Sequence, residues 1–340
     1  MSTVNVKLSE FKGVPSVELS TAGAFAVVVP SIGSNVVKFR DNERKIEVFR
    51  NPDDADIKDI KAKPFLWGVQ ALYLANRFRD GVLRTSDAVY QLPINEPLMN
   101  NFIHGFIHDR SHEIKSYGVI KETNRAYVET EYIYDKKDEF YQYLPIDFIF
   151  NVRIELGDRK GSPRLKQTIK ITNISPKKLP ISIATHTAIA APFVDGSKGE
   201  DVRLTIPIGE KLQLDESRWL PCGKPNLPLD TYDKLYATGK CCPVLRDINN
   251  NMYKYAKPEV DVNRIIVNDL STGHKIINSV GNEYKFTIIW NDGGFKGYFC
   301  PEPMTGQIDA PNLDMPASES GYSEIGPSEE FSVSQWFYTE

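Results

Sequence analysis

Leu144-Pro-Ile-Asp-Phe-Ile-Phe-Asn-Val-Arg-Ile-Glu-Leu156 reads as a strand on its side-chain pattern alone. Ile146, Phe148, Phe150, Val152, Ile154 and Leu156 fall on one face, and Asp147, Asn151, Arg153 and Glu155 fall on the other. A period of two with a single apolar face describes a strand buried on one side only, the habit of antiparallel sheets. Residues 165–173 repeat it, with Leu165, Ile169 and Ile171 against Lys166, Thr168, Lys170 and Thr172, and Leu204, Ile206 and Ile208 do so again. Shorter apolar runs at 24–29, 36–39 and 46–49 are separated by the turn residues Pro30, Gly33 and Asn42-Glu43. Only residues 51–60 have helix-start chemistry, enough for one short helix, and no stretch sustains a 3.6-residue period. Many short strands and few short helices predict an all-β fold, a large antiparallel sandwich or barrel.

The chain has 340 residues, long for one domain, yet large all-β sandwiches reach this size. No repeat or low-complexity segment divides it, and 157–163 and 215–243 read as long loops between strands, so a single domain over 1–340 is expected. With 41% apolar and 25% charged residues there is material for a core and no bias toward disorder. A net charge of -4 without a dense Lys/Arg cluster argues against nucleic acid as a partner. The first eleven residues lack a signal-peptide pattern, and the apolar runs fall far short of spanning a bilayer, so a cytoplasmic protein without a membrane partner is expected. The four cysteines, two of them the adjacent Cys241 and Cys242, have neither the spacing of a zinc site nor that of a disulfide framework.

Few residues are suited to carry chemistry. In Cys300-Pro-Glu-Pro-Met304 the two prolines stiffen an extended loop around Glu302, a preorganised setting for a catalytic base. His186 lies on a run whose alternation puts Leu179, Ile181, Ile183 and Ile189 on one face. Ser182, Ala184, His186, Ala188 and Ala190 share the other, so the imidazole emerges among small residues where a pocket can form. His104, His108 and His112 have the i, i+4, i+8 spacing of ligands on a helix, but Gly105 and the neighbouring Asn-Asn-Phe-Ile read as loop entering strand, and no metal is expected. Arg77, after Asn76, offers a planar fork of donors to hydroxyls or a carboxylate.

Taken together and in order, Asn76-Arg77-Phe78 with Gly81, His104-Gly105, the extended segment at His186, and Glu302-Pro303 with Asp309-Ala-Pro-Asn312 resemble the aldose 1-epimerase (galactose mutarotase) family over residues 76–312. The resemblance implies a β-sandwich of the galactose mutarotase-like type and an isomerase that interconverts the α and β anomers of an aldose without cofactor, as a monomer or homodimer. It implies Glu302 as general base, His186 as general acid, and Arg77, His104 and Asn76 as the sugar's binding groups. For the family's sugar-binding aspartate Asp261 is the expectation and Asp233 the reserve, and Trp67 and Trp290 are candidate stacking surfaces for the sugar. Phe106 departs from the second glycine that many members carry, a His-Gly-Phe pattern that resembles the hexose-6-phosphate epimerases. The run after His186 lacks the aromatic and asparagine of the galactose enzymes. A hexose-6-phosphate 1-epimerase, with Arg77, Arg79, Arg84 or Arg110 converging on a phosphate, is therefore one alternative. A non-catalytic carbohydrate-binding sandwich is the other.

Overall fold

All six apolar residues that the alternation assigns to one face of 144–156 are completely buried. They line an eight-stranded sheet in which Phe148–Arg159 lies between Arg125–Tyr134 and Ser162–Asn173, followed by Glu330–Thr339, Lys275–Gly281 and Val262–Asp269. A thirteen-stranded sheet packs against it, with Asn35–Asp41, Val69–Tyr73, Ile183–Thr187, Tyr298–Met304 and Phe286–Trp290 side by side at its middle. The ladders of both large sheets are antiparallel, as the period of two predicts. The computed structural model describes residues 4–248, 251–257 and 260–340.

The main core fills the space between the sheets, with Phe150, Ile154 and Ile169 from one meeting Val69, Ala71, Ile183 and Ile189 from the other. The far face of the larger sheet is covered too, around Leu72, Ala184, Ile288 and Met304, and around Ala188 and Cys300. The fold is thus an all-β sandwich, and one of its sheets carries a second, smaller buried layer on its outer side. That outer layer is where Ala184, His186 and Ala188 point.

Three short α-helices and five 3-10 turns accompany the strands among the described residues, and none is long and apolar enough to cross a membrane. The helix expected within 51–60 begins late, at Ile57–Ala62, because Asp56 supplies the cap by accepting the Lys58 amide at 2.8 Å. The strand expected from residue 144 starts at Phe148, and the ladder expected over 46–49 covers Ile46–Glu47. The supposed long loop at 157–163 is a tight hairpin. Arg159 pairs with Ser162, and Lys160 and Gly161 both take positive φ, 55° and 75°, the backbone of a two-residue turn matched to strand twist.

Candidate active site

The strands that carry His186 and Glu302 are neighbours at the centre of the larger sheet. Ala184 pairs with Met304, and continuing that antiparallel register sets His186 directly across from Glu302. Directly opposed side chains stand about 5 Å apart at Cβ, close enough for a long pair to touch. His186 Nε2 lies 3.3 Å from Glu302 Oε1, with both side chains 5% exposed or less.

Glu302 does not sit on a loop, as its flanking prolines suggest, but within the central strand Tyr298–Met304. The reason lies in which amides the prolines remove. Amides two residues apart face the same side of a strand, and the Thr305 amide donates to Ile183 O at 3.0 Å, so Pro301 and Pro303 lack donors on the side facing the His186 strand. On the other side Tyr298–Met304 keeps a continuous ladder with Phe286–Trp290, from Phe286↔Met304 to Trp290↔Cys300.

Arg77 and His104 enter from a small ribbon in which Arg77–Arg79 pairs with Asn101–Ile103. Asn76 and His104 both adopt left-handed backbone, φ 54° and 64°, and the His104 amide donates to Asn76 O at 2.9 Å. Asn76 Oδ1 accepts the Arg77 amide at 3.0 Å, a local bond that makes this conformation accessible to asparagine. Gly105 is required next to His104: its φ is +67°, and a Cβ there would lie 2.0 Å from Tyr73 O. The Asp309-Ala-Pro-Asn312 segment braces the same ribbon. Asp309 donates its amide to Arg77 O at 3.1 Å and accepts the Arg79 amide at 3.1 Å, and Asn312 Nδ2 reaches Val82 O at 2.7 Å.

Aromatic rings close over the pair. Phe65, on the short 3-10 helix Pro64–Leu66, has its ring 5.4 Å from that of His186, 5.2 Å from His104 and 5.9 Å from His108. His104 stands edge-on to His186 at 5.7 Å, and Trp290 does so at 5.8 Å. Burial pushes the Glu302 carboxyl up to about 8, with the Arg77 cation pulling it back, and pushes His186 down to about 3, with His108 adding to the fall. His104 is held well below its ordinary value by burial, with His186, Arg77 and His108 acting in the same direction. Two groups in contact titrate as a unit, so the His186–Glu302 pair holds one proton between about pH 3 and about pH 8.

The sequence model of the aldose 1-epimerase family matches residues 15–338. The chain belongs to the aldose 1-epimerase family. A galactose mutarotase-like protein from Clostridium acetobutylicum superposes with a TM-score of 0.93 at 29% identity, covering 99% of each chain. An aldose epimerase homologue from C. elegans shares the fold at a TM-score of 0.70 and 15% identity, over 100% of this chain and 99% of its own. A galactose mutarotase related enzyme from Lactobacillus acidophilus does so at 0.67 and 14%, over 95% and 97%. The architecture is therefore galactose mutarotase-like.

Of the residues singled out in the sequence, this epimerase fold gathers Glu302, His186, His104, Arg77 and Asn76, and brings Trp290 against His186. Asp261 is not among them. It is exposed beside Val262–Asp269, a strand whose alternating Ile265 and Val267 draw it into the eight-stranded sheet. Glu259, just before it, lies outside the described residues. Asp233 is buried but committed elsewhere: it closes the capping box of the helix Thr231–Ala237 and accepts the Tyr253 hydroxyl at 2.7 Å. Trp67 packs with Val29, Val37 and Ile60, with the Arg50 guanidinium 3.7 Å above its ring, and makes no ring contact with the histidines. The three spaced histidines share no helix: His108 lies on the 3-10 turn Ile107–Asp109, with His104 and His112 outside it. His112 is buried against Tyr132 and Phe150, and no metal-holding group of three or more His, Cys, Asp or Glu occurs among the described residues.

Two residues near the site escaped the sequence reading. Phe65 has no pattern that marks it. Glu96 takes the Arg77 fork with both oxygens, Nε to Oε2 at 2.9 Å and Nη2 to Oε1 at 2.9 Å, and only the following Pro97, which favours an extended residue before it, hinted at a fixed position.

Proposed function

We propose that this chain interconverts the α and β anomers of an aldose, with Glu302 as general base and His186 as general acid. The observation that carries the reading is the buried 3.3 Å contact between His186 Nε2 and Glu302 Oε1. Anomer exchange needs a proton to leave the anomeric hydroxyl while another reaches the ring oxygen, so that the bond between C1 and that oxygen breaks. A pair that holds one proton supplies both roles. In the free site burial keeps that proton on Glu302; passed across the 3.3 Å contact to His186 when the sugar is bound, it leaves a Glu302 carboxylate that takes the hydroxyl proton as the imidazolium gives its own to the ring oxygen. The open-chain aldehyde turns about C1–C2, the other face closes, and the two transfers run in reverse. The pair ends with the single proton it began with, so the sequence as written draws on no cofactor. Each well-placed transfer is worth about 10²–10⁴ in rate.

Arg77 and His104 hold the sugar's hydroxyls in this reading. Nη1 of Arg77 is buried without a hydrogen-bond partner among the described residues, a donor suited to a hydroxyl, and Asn76 fixes the backbone from which both side chains project. Polarimetry of freshly dissolved α-glucose and α-galactose tests the proposal. Acceleration by the wild type that is lost in Glu302→Gln supports it, whereas sugar affinity without acceleration would reduce the protein to a sugar-binding sandwich.

A further inference from the structure

We propose that Glu96 sets the charge class of the substrate: by pinning and neutralising the Arg77 fork, it fits the site to an uncharged aldose and against an aldose phosphate. This rests on the epimerase reading above and deepens it.

The Arg77–Glu96 pair is bidentate and mostly removed from water, with side chains 7% and 20% exposed. Glu96 is itself fixed. Its amide donates to Asn101 O at 3.0 Å, the Asn101 amide returns to Glu96 O at 3.2 Å, and Asn101 Nδ2 donates to Glu96 Oε2 at 2.9 Å. The guanidinium is thus oriented and opposed by a full negative charge, with the two N–H bonds of Nη1 left as directed donors. That suits a hydroxyl. A phosphate dianion calls for a fork whose charge is free.

Guanidinium groups farther out are committed in the same way. Arg79 has its Nε 3.5 Å from Asp309 and donates to Pro221 O, and Arg218 pairs with Asp80 at 2.8 Å while bonding Met99 O and Asn100 O. The cleft beside Arg79 adds Asp215 and Asp314 to Asp309, three carboxylates against one cation. Arg110 pairs with Asp138 and Asp109 at 2.8 and 2.7 Å, so of the arginines a phosphate reading could draw on, Arg77, Arg79 and Arg110 already face carboxylates, and Arg84 is exposed. Phe106, the residue of the His-Gly-Phe pattern, points into the core, stacked on Phe140 at 4.2 Å, and so reads no part of a substrate.

The carboxylate behind Arg77 also bears on the catalytic pair. Glu302 is faced by His186 from the adjacent strand, by Arg77, and by Cys300 from its own strand, with His104 and His108 beyond His186. Removing Glu96 leaves the Arg77 charge unopposed and holds Glu302 ionised to lower pH, an effect that a merely structural role lacks.

The test compares kcat/KM on α-glucose and α-galactose with that on their 6-phosphates from pH 6 to 9, for the wild type, Glu96→Gln and the conservative Glu96→Asp, with circular dichroism confirming the fold. Wild type should favour the free sugars by at least about tenfold, as a phosphate placed at Arg77 meets the Glu96 carboxylate and no free fork. Glu96→Gln should raise KM on the free sugars, move the preference toward the phosphates by about tenfold, and shift the alkaline limb to lower pH, and Glu96→Asp should restore preference and limb. A wild type that prefers the phosphates, or a Glu96→Gln protein with unchanged preference and limb, overturns the inference and leaves the epimerase reading standing. A wild type that accelerates neither class overturns both.

Discussion

Replacing Glu302 with glutamine should abolish anomer exchange and also make the protein more heat-stable at neutral pH, by an amount that grows with pH. Glu302 is 4% exposed, and its burial lifts the carboxyl from an ordinary 4.5 to about 8. The folded chain then binds this proton more tightly than the unfolded chain. Stability from the group is full below about pH 4.5 and is lost as pH rises to about 8. The loss is on the order of 3 kcal/mol at pH 7 and about 5 kcal/mol above pH 8. Glutamine keeps the shape and a donor toward His186 but has no proton to lose. With an unfolding entropy of about 0.7 kcal/mol/K for a chain of this length, the variant should melt about 5 °C higher at pH 7, about 7 °C higher above pH 8, and level with the wild type near pH 4.5. Scanning calorimetry of both proteins at these pH values, with polarimetry on the same samples, measures the two effects together. A melting difference that stays constant from pH 4.5 to 8.5 would refute the argument that desolvation of this carboxyl sets its chemistry.

The pH dependence of kcat/KM should be level through neutrality and fall about tenfold per pH unit above about 8, where the pair loses its one proton, with an acid limb near 3; a flat profile from pH 5 to 9 counts against the alkaline limb, and one still flat down to pH 3 against the acid limb as well. Gly105→Ala should cost about 3 kcal/mol or more and displace His104, because the added Cβ meets Tyr73 O at 2.0 Å on a backbone at φ +67°; a thermal melt within a degree of wild type would show that the approach can relax. Phe65→Ala should admit water to the pair, lower the pKa of Glu302 and move the alkaline limb to lower pH, since that ring lies 5.4 Å from His186; an unmoved limb in polarimetric assays would show that Phe65 contributes nothing to the desolvation.

The fold was legible because its signal is repeated and local. Each inward residue of 148–156 and 165–171 reports its own face, and the two sheets simply realise that alternation. The alternation that separated Ile183 and Ile189 from Ala184, His186 and Ala188 was likewise met, with the isoleucines in the main core and the alanines in the layers on the outer face. Asp261 and Glu96 mark where such reading stops. A carboxylate's partner depends on which sheet its strand joins, and for Asp261 that is decided by pairing with Lys275–Gly281, more than ten residues away. Glu96 finds Arg77 only because the closing bonds between Glu96 and Asn101 fold the chain back on itself, a contact with no periodic trace.

Glu302 shows how a sound local rule can mislead about structure while pointing to the right place. Proline is expected to leave central strands, since each one deletes a ladder bond, and two of them around a carboxylate read as loop. Here the deleted bonds all lie on one side. The ladder to Phe286–Trp290 survives and fixes the strand, while toward Ile183–Thr187 the pairing is reduced to Ala184↔Met304 with the Thr305 amide on Ile183 beyond it. Next to that interrupted seam the two strands present His186 and Glu302 across from each other, under Phe65 and Trp290. A strand held firmly from one side positions the carboxylate as rigidly as any sheet residue. The missing donors show that the backbone between His186 and Glu302 is specified by sequence rather than by the need to complete a ladder, so the prolines are a feature of the candidate site's construction and not of its periphery.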